Sequence, residues 1–94
     1  MVTEIRASHI LVATEKEANE LKSRVERGES FAALAKQYSK CPSGQEGGDL
    51  GWFGRGVMVK SFEDAVFSAG KDLVAGPIKT QFGYHLVLVT DTRG

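Results

Sequence analysis

Apolar positions change their spacing several times along the chain, and each change marks an element. From Glu4 to Val12, Ile5, Ala7, His9 and Leu11 alternate with Arg6, Ser8, Ile10 and Val12. The period is two and both faces turn apolar toward the end, which predicts an inner strand. Thr14 followed by Glu17 has the S/T-x-x-E form of a capping box, and Ala18, Leu21 and Val25 then recur at helical spacing as far as Gly28, so a first helix is predicted over 15–27. Ser30 caps a second, in which Phe31, Leu34, Ala35 and Tyr38 share one stripe and which ends near Tyr38 or Ser39. Cys41 to Gly56 holds six glycines and a proline, the composition of a flexible linker. Leu50, Trp52 and Phe53 sit among those glycines, however, and this predicts an ordered loop with a short strand near Gly51 to Phe53. Ser61 and Asp64 open a third helix with Phe62, Ala65, Val66 and Ala69 on one face and Gly70 as its stop. Pro77 to Thr80 reads as extended, Gln81 to Gly83 as a turn, and Tyr84 to Thr90 as a strand that could pair with Pro77–Thr80 as a hairpin.

Strands and helices in this order lack the regular alternation of a parallel doubly wound sheet, so the expected class is α+β, a small, mainly antiparallel sheet with helices packed around it. Ninety-four residues leave room for one domain, 1–94, with one modest core. Twelve Lys plus Arg against twelve Asp plus Glu supply no basic field for nucleic acid, and no apolar run approaches the roughly 20 residues that span a bilayer. Neither nucleic acid nor membrane is expected as a partner. Met1 to Arg6 leads into nothing like a signal peptide, which makes cytoplasmic residence the expectation. The start at Met1 favours a complete chain over a piece of a larger secreted protein, a point that the sequence leaves open. A single cysteine, Cys41, forms neither an internal disulfide nor a four-cysteine zinc site.

Both histidines, His9 and His85, fall inside predicted strands among aliphatic neighbours. Each could simply fix local packing by hydrogen bonding to a buried partner, or the two could join a third group in chemistry. Cys41 is that third candidate, as a thiolate beside an imidazole or as a small hydrophobe. A metal is not expected, because close ligand pairs and a fourth ligand are missing. The Gly51–Gly56 pattern lacks the frame of a dinucleotide or phosphate loop, so no cofactor is expected either. Leu50, Phe53, Met58 and Phe62 form an apolar set near the glycine loop; core packing is the first reading of Phe62, while Met58, just before a helix cap, could face outward as a soft binding wall.

Taken together, Ser8-His9-Ile10-Leu11-Val12, Tyr38-Ser39-Lys40-Cys41-Pro42-Ser43-Gly44 and Gly47-Gly48-Asp49-Leu50-Gly51-Trp52-Phe53 resemble the parvulin family of peptidyl-prolyl isomerases, the small PpiC-like rotamases. So do Gly54 to Phe67 and Gly76-Pro77-Ile78-Lys79-Thr80-Gln81-Phe82-Gly83-Tyr84-His85, in order over essentially the whole chain. The resemblance implies an FKBP-like fold with a four-stranded antiparallel sheet and four helices, the fourth a short turn in the glycine-rich stretch. It implies that His9 and His85 sit side by side beneath the reaction centre, that Cys41 occupies a position held by Cys or Asp, and that Thr80 is the hydroxyl linked to the histidines. Leu50, Met58 and Phe62, with Phe53 close by, would hold the substrate proline ring. Ser61 stands where the family commonly has proline, and Val59, where it often has glutamine, offers no side-chain hydrogen bond to a substrate carbonyl. Only Ala13 separates Val12 from the first capping box, leaving no place for the basic insertion of phosphate-directed members. The implied activity is a monomeric, cofactor-free cis/trans isomerase acting on proline-containing segments of client proteins, without phospho-specificity; Cys41 and the imidazole pair would tune the electrostatics where the carbonyl swings in a non-covalent twist, which ranks above covalent attack by Cys41, a step that would also abolish amide resonance. A peptide-binding chaperone module and a Cys-His hydrolase are the competing readings; the second lacks an evident orienting acid or oxyanion motif.

Overall fold

The computed structural model describes residues 2–94; Met1, and with it the reading of the chain's first residue, lies outside the described residues. Its elements in chain order are β1 (Glu4–Val12), α1 (Glu15–Glu26), α2 (Phe31–Tyr38), a 3₁₀ helix (Pro42–Glu46), β2 (Asp49–Gly54), α3 (Lys60–Ser68), β3 (Val74–Thr80) and β4 (Gly83–Arg93). The four strands form one antiparallel sheet in the order β2-β1-β4-β3. The first strand is therefore inner, as its two apolar faces predict, and the last two form the expected hairpin. The α+β class stands, with three α-helices; the expected fourth is the 3₁₀ turn Pro42–Glu46, too short and too rich in proline and glycine to propagate as an α-helix.

Local sequence accounts for the first two helices. The Thr14 hydroxyl accepts the Glu17 N–H at 3.2 Å and the Ser30 hydroxyl accepts that of Ala33 at 3.2 Å, so both read caps are present. The third helix differs. It begins at Lys60 with Val59 as N-cap and no side-chain cap, placing Ser61 inside the first turn, where proline is equally tolerated. Glu63 of that turn instead accepts the Gly56 N–H and pairs with Arg55 at 3.4 Å, tying the preceding loop to the helix. The helix stops at Ser68 with Ala69 as its cap, one residue ahead of the expected Gly70. Strand β3 starts at Val74 rather than Pro77: the register against β4 slips between Ala75 and Ile78, and a bulge accommodates the proline, which cannot donate to the ladder.

Alternation along β1 distributes the core to both faces of the sheet. Ile5 and Ala7 join Phe53, Phe62, Val66, Ile78, Val87 and Val89 beneath α3. Ile10 and Val12 join Leu86, Ala18, Leu21, Phe31, Leu34 and Ala35 beneath α1 and α2 on the opposite face.

Candidate active site

Helix α3 has nine residues, about 13 Å at 1.5 Å per residue, whereas β4 has eleven at more than twice that rise. It covers one end of its face and reaches the other only through Phe62. Beyond Phe62 the face carries His9 and Leu11 from β1 and His85 from β4, and here lies an open pocket of about 450 Å³. Leu50, Met58 and Phe62 form its walls, Cys41 and Pro42 border it, and the exposed side chains of Val57, Val59 and Phe82 form its lip.

Two glycines bring the loop residues to this place. Gly48 has φ +84°, and a Cβ there would collide with the His9 carbonyl; its absence lets the His9 N–H donate to the Gly48 carbonyl at 2.9 Å. Gly51, at φ +71°, is the extra residue of a bulge between the Arg6–Trp52 and Ser8–Asp49 pairs. The bulge turns Leu50 and Phe53 toward the same face although they are three residues apart. Leu50 lines the pocket, but Phe53 pairs with Ile5 and is buried in the core against Phe67, ring centroids 6.4 Å apart. The structure thus places Phe53 in the core and not among the residues that line the pocket, with the bulge between the two. Cys41 is held from the other side: the Ser39 hydroxyl accepts the backbone N–H groups of both Leu11 and Cys41, at 3.1 and 3.3 Å.

The two imidazoles stack at 5.4 Å with 14° between their planes, and their Nδ1 atoms are 3.2 Å apart. His9 Nε2 lies 3.0 Å from the Ser43 hydroxyl and His85 Nε2 lies 2.7 Å from the Thr80 hydroxyl, which also accepts the Phe82 N–H. All four ring nitrogens are therefore engaged in one chain, Ser43–His9–His85–Thr80. An Nδ1–Nδ1 hydrogen bond needs one protonated and one bare nitrogen, so the pair cannot be doubly charged without losing it. Burial accordingly pushes the His9 imidazole down to about 4, helped by the charge of His85, and burial alone lowers His85. Both are neutral at pH 7. The Phe62 ring meets them edge-on, at 5.9 Å from His9 and 5.3 Å from His85.

Of the residues singled out from sequence, His9, His85, Cys41, Leu50, Met58 and Phe62 line one pocket, and Thr80 stands behind His85. Ser43, which the sequence marks only as part of a motif, completes the histidine chain. Leu11, Val57 and Phe82 were also missed. The parity of Leu11 with His9 along β1 was a usable signal; that of Phe82, in a turn, was not.

A protein-family model described as "PPIC-type PPIASE domain" matches residues 1–93. Among curated proteins, a foldase protein PrsA of Geobacillus sp. (strain WCH70) is 58% identical over 88 residues, which are 93% of this chain and 32% of the relative. The chain thus spans about a third of the length of the curated relatives it matches. Among solved structures, the peptidylprolyl isomerase PrsA of Bacillus cereus superposes with a TM-score of 0.94 at 47% identity, covering 99% of this chain and 36% of that one. The parvulin NmPin of Nitrosopumilus maritimus superposes with 0.87 at 41% identity, over 95% of this chain and 97% of its own.

Proposed function

Because the chain belongs to the PpiC-type peptidyl-prolyl cis/trans isomerases, the parvulins, we propose that its pocket accelerates rotation about Xaa-Pro bonds in extended or unfolded client segments and so assists their folding. The observation that carries this reading is an apolar pocket whose polar floor is fully engaged with itself. Such a floor has no free base for bond cleavage, and the isomerisation breaks no bond. A Cys-His hydrolase would need an imidazole nitrogen directed at Cys41, and each one is already committed to Ser43, Thr80 or the other ring.

Rotation about a peptide bond meets a barrier of about 18–20 kcal/mol because the nitrogen lone pair is delocalised onto the carbonyl oxygen. Twisting removes that delocalisation and with it part of the amide dipole. A pocket poor in donors to the carbonyl therefore favours the twisted amide relative to water, where the planar form is better solvated. Leu50, Met58 and Phe62 grip the proline ring while the preceding carbonyl swings past Cys41. A thousandfold acceleration requires only about 4 kcal/mol. His9 and His85 act as positioning groups: their chain fixes the floor on which Phe62 stands edge-on. Among the described residues only Lys40 of the basic side chains lines the pocket, and without a basic cluster activity does not depend on phosphorylation. The whole chain acts as one monomeric domain, and a single half-buried thiol at the pocket suits a reducing, cytoplasmic compartment. Sedimentation and cell fractionation test these last two points; a dimer, or recovery outside the cytoplasm, overturns the respective one.

NMR exchange spectroscopy on short Xaa-Pro peptides with catalytic amounts of protein tests the activity directly. Faster cis/trans exchange, without preference for phosphoserine, is the expected result. The exposed Val57, Val59 and Phe82 favour a second reading, a module that only holds apolar segments. Shifted resonances around Met58 and Trp52 with no acceleration would establish it.

A further inference from the structure

Among the described residues, one formally charged side chain, that of Lys40, borders the pocket. The backbone N–H of Lys40 donates to the Leu11 carbonyl at 2.8 Å, which anchors the residue to β1 while its side chain is exposed. The cations that flank the Val57–Val59 lip in the chain already have anions: Arg55 has Glu63 and Lys60 has Asp64. None of the ion pairs among the described residues involves Lys40. No carboxylate lines the pocket, both histidines there are neutral, and the remaining walls are mainly apolar. An ammonium at the edge of such a concavity projects a field that its neighbours do not cancel and that low-dielectric walls strengthen.

We propose that Lys40 selects substrates with a carboxylate side chain on the residue preceding proline. The proposal rests on the isomerase reading of the pocket. With the proline ring against Leu50, Met58 and Phe62, the carbonyl that turns belongs to the preceding residue and passes Cys41. Lys40 is the chain neighbour of Cys41 and lines the pocket beside it, so its ammonium can reach the side chain of the residue before proline. Glutamate there meets the ammonium, whereas glutamine has the same shape without the charge. A lone lysine is a flexible point charge, unlike the guanidinium forks and basic clusters suited to a phosphate dianion, so the anion it selects is a carboxylate. Val57, Val59 and Phe82 are apolar and contribute nothing to this discrimination.

An exposed ion pair of ordinary strength amounts to about a two- to fivefold preference in kcat/KM. The test compares Glu-Pro, Gln-Pro, Leu-Pro and phosphoserine-Pro peptides by NMR exchange with the whole chain. In the unmodified protein the Glu/Gln ratio is expected to be about two to five at about 0.01 M salt and to approach one at about 1 M, where the screening length falls to about 3 Å. Lys40→Gln should bring the ratio to one at both salt concentrations, and Lys40→Glu should bring it below one at low salt. Because Lys40 is exposed, these variants should fold, and the salt series tests the same interaction without any substitution. A ratio of one in the unmodified protein, or a ratio that survives Lys40→Gln, overturns the proposal; accelerated Leu-Pro exchange in that same experiment leaves the isomerase reading standing. Phosphoserine preferred over glutamate overturns the carboxylate assignment. Failure to accelerate any peptide overturns the isomerase reading and the proposal with it.

Discussion

Each face of the sheet is covered over only part of its length, and the two covered parts lie at opposite ends. Under α3 the covered end is Ile5, Ala7, Val87 and Val89, and the open end is His9, Leu11 and His85. Under α1 and α2 the covered end is Ile10, Val12 and Leu86, and the open end carries Arg6, Ser8, Thr90 and Asp91. Both open ends leave strand surface to solvent, but their side chains differ in kind. Arg6 is satisfied by Asp49 at 2.8 Å, and Thr90 donates to the Arg6 carbonyl, so that end is finished as a polar surface. The other end presents apolar side chains and two neutral imidazoles, which have nothing to gain from water. An uncovered stretch of sheet is unremarkable when it is polar; an apolar one awaits an occupant.

Phe62→Ala tests this contrast most severely, because Phe62 belongs to both halves of its face: it is buried in the core and is also a wall of the pocket. Truncation should cost about 3–5 kcal/mol of stability together with most of the isomerase activity, read by denaturant unfolding and by peptide exchange on the folded fraction. Full activity in a folded variant would place the proline elsewhere. Leu86→Ala, on the closed side, should cost about 2–5 kcal/mol while kcat/KM per folded molecule stays within about twofold, since Leu86 is buried in the opposite cluster and does not line the pocket. A proportional loss of activity would mean that the two faces are not independent.

The closed face was the more legible of the two. Ala18, Leu21, Phe31 and Leu34 recur at helical spacing, Thr14 and Ser30 stand at caps, and Ile10 and Val12 alternate in the strand beneath, so periodicity alone recovers that half of the core. The open face depends on departures from periodicity. A bulge at Gly51 decides that Leu50 lines the pocket and Phe53 does not, and the left-handed backbone responsible is not visible in a stretch containing six glycines. Likewise Ser61 followed by Asp64 has the form of a cap, but the loop is secured by Glu63 reaching back to Gly56, a tertiary contact that moves the helix start to Lys60. The pairing of His9 with His85 joins residues 76 apart. Only the resemblance to a known family suggested it, since nothing local relates the two.

Acid should separate the faces next. His9 has its pKa lowered from 6.5 to about 4 in the fold, so between those values the unfolded chain takes up a proton that the native protein refuses. Stability therefore rises with pH through this window and is lost as pH falls from about 6.5 toward 4, by on the order of 3 kcal/mol for His9, with His85 adding in the same direction. Thermal unfolding at pH 7 and pH 4.5 should show the loss, and His9→Leu with His85→Leu should flatten it. Among the described residues the closed cluster holds no carboxylate or imidazole, and the carboxylates of Glu4, Glu29 and Asp49, whose pKa values are lowered by hydrogen bonds from arginine, act at more acidic pH. An undiminished acid loss in the double variant would locate its source outside the histidine pair.

The smallest effect concerns the direction of protons in the chain Ser43–His9–His85–Thr80, for which two orders are available. In one, Ser43 donates to His9 Nε2, His9 Nδ1–H donates to His85 Nδ1, and His85 Nε2–H donates to Thr80; in the other every donor and acceptor is exchanged. Removing one terminal hydroxyl leaves the adjacent ring nitrogen without its partner. A bare nitrogen is a less costly orphan than an N–H, so each truncation should select the order that leaves a lone pair at the gap. Ser43→Ala should then hold His9 as the Nδ1–H tautomer and His85 as the Nε2–H tautomer, while Thr80→Val should hold them as Nε2–H and Nδ1–H. Imidazole nitrogen shifts distinguish these states, and each variant should lose about 1 kcal/mol of stability with activity changed less than about fivefold. The same tautomers in both variants would dissolve the chain. A loss of activity by orders of magnitude with unchanged stability would make the histidines catalytic groups that act on the substrate, and the floor of the pocket would no longer be a passive counterpart of the closed face.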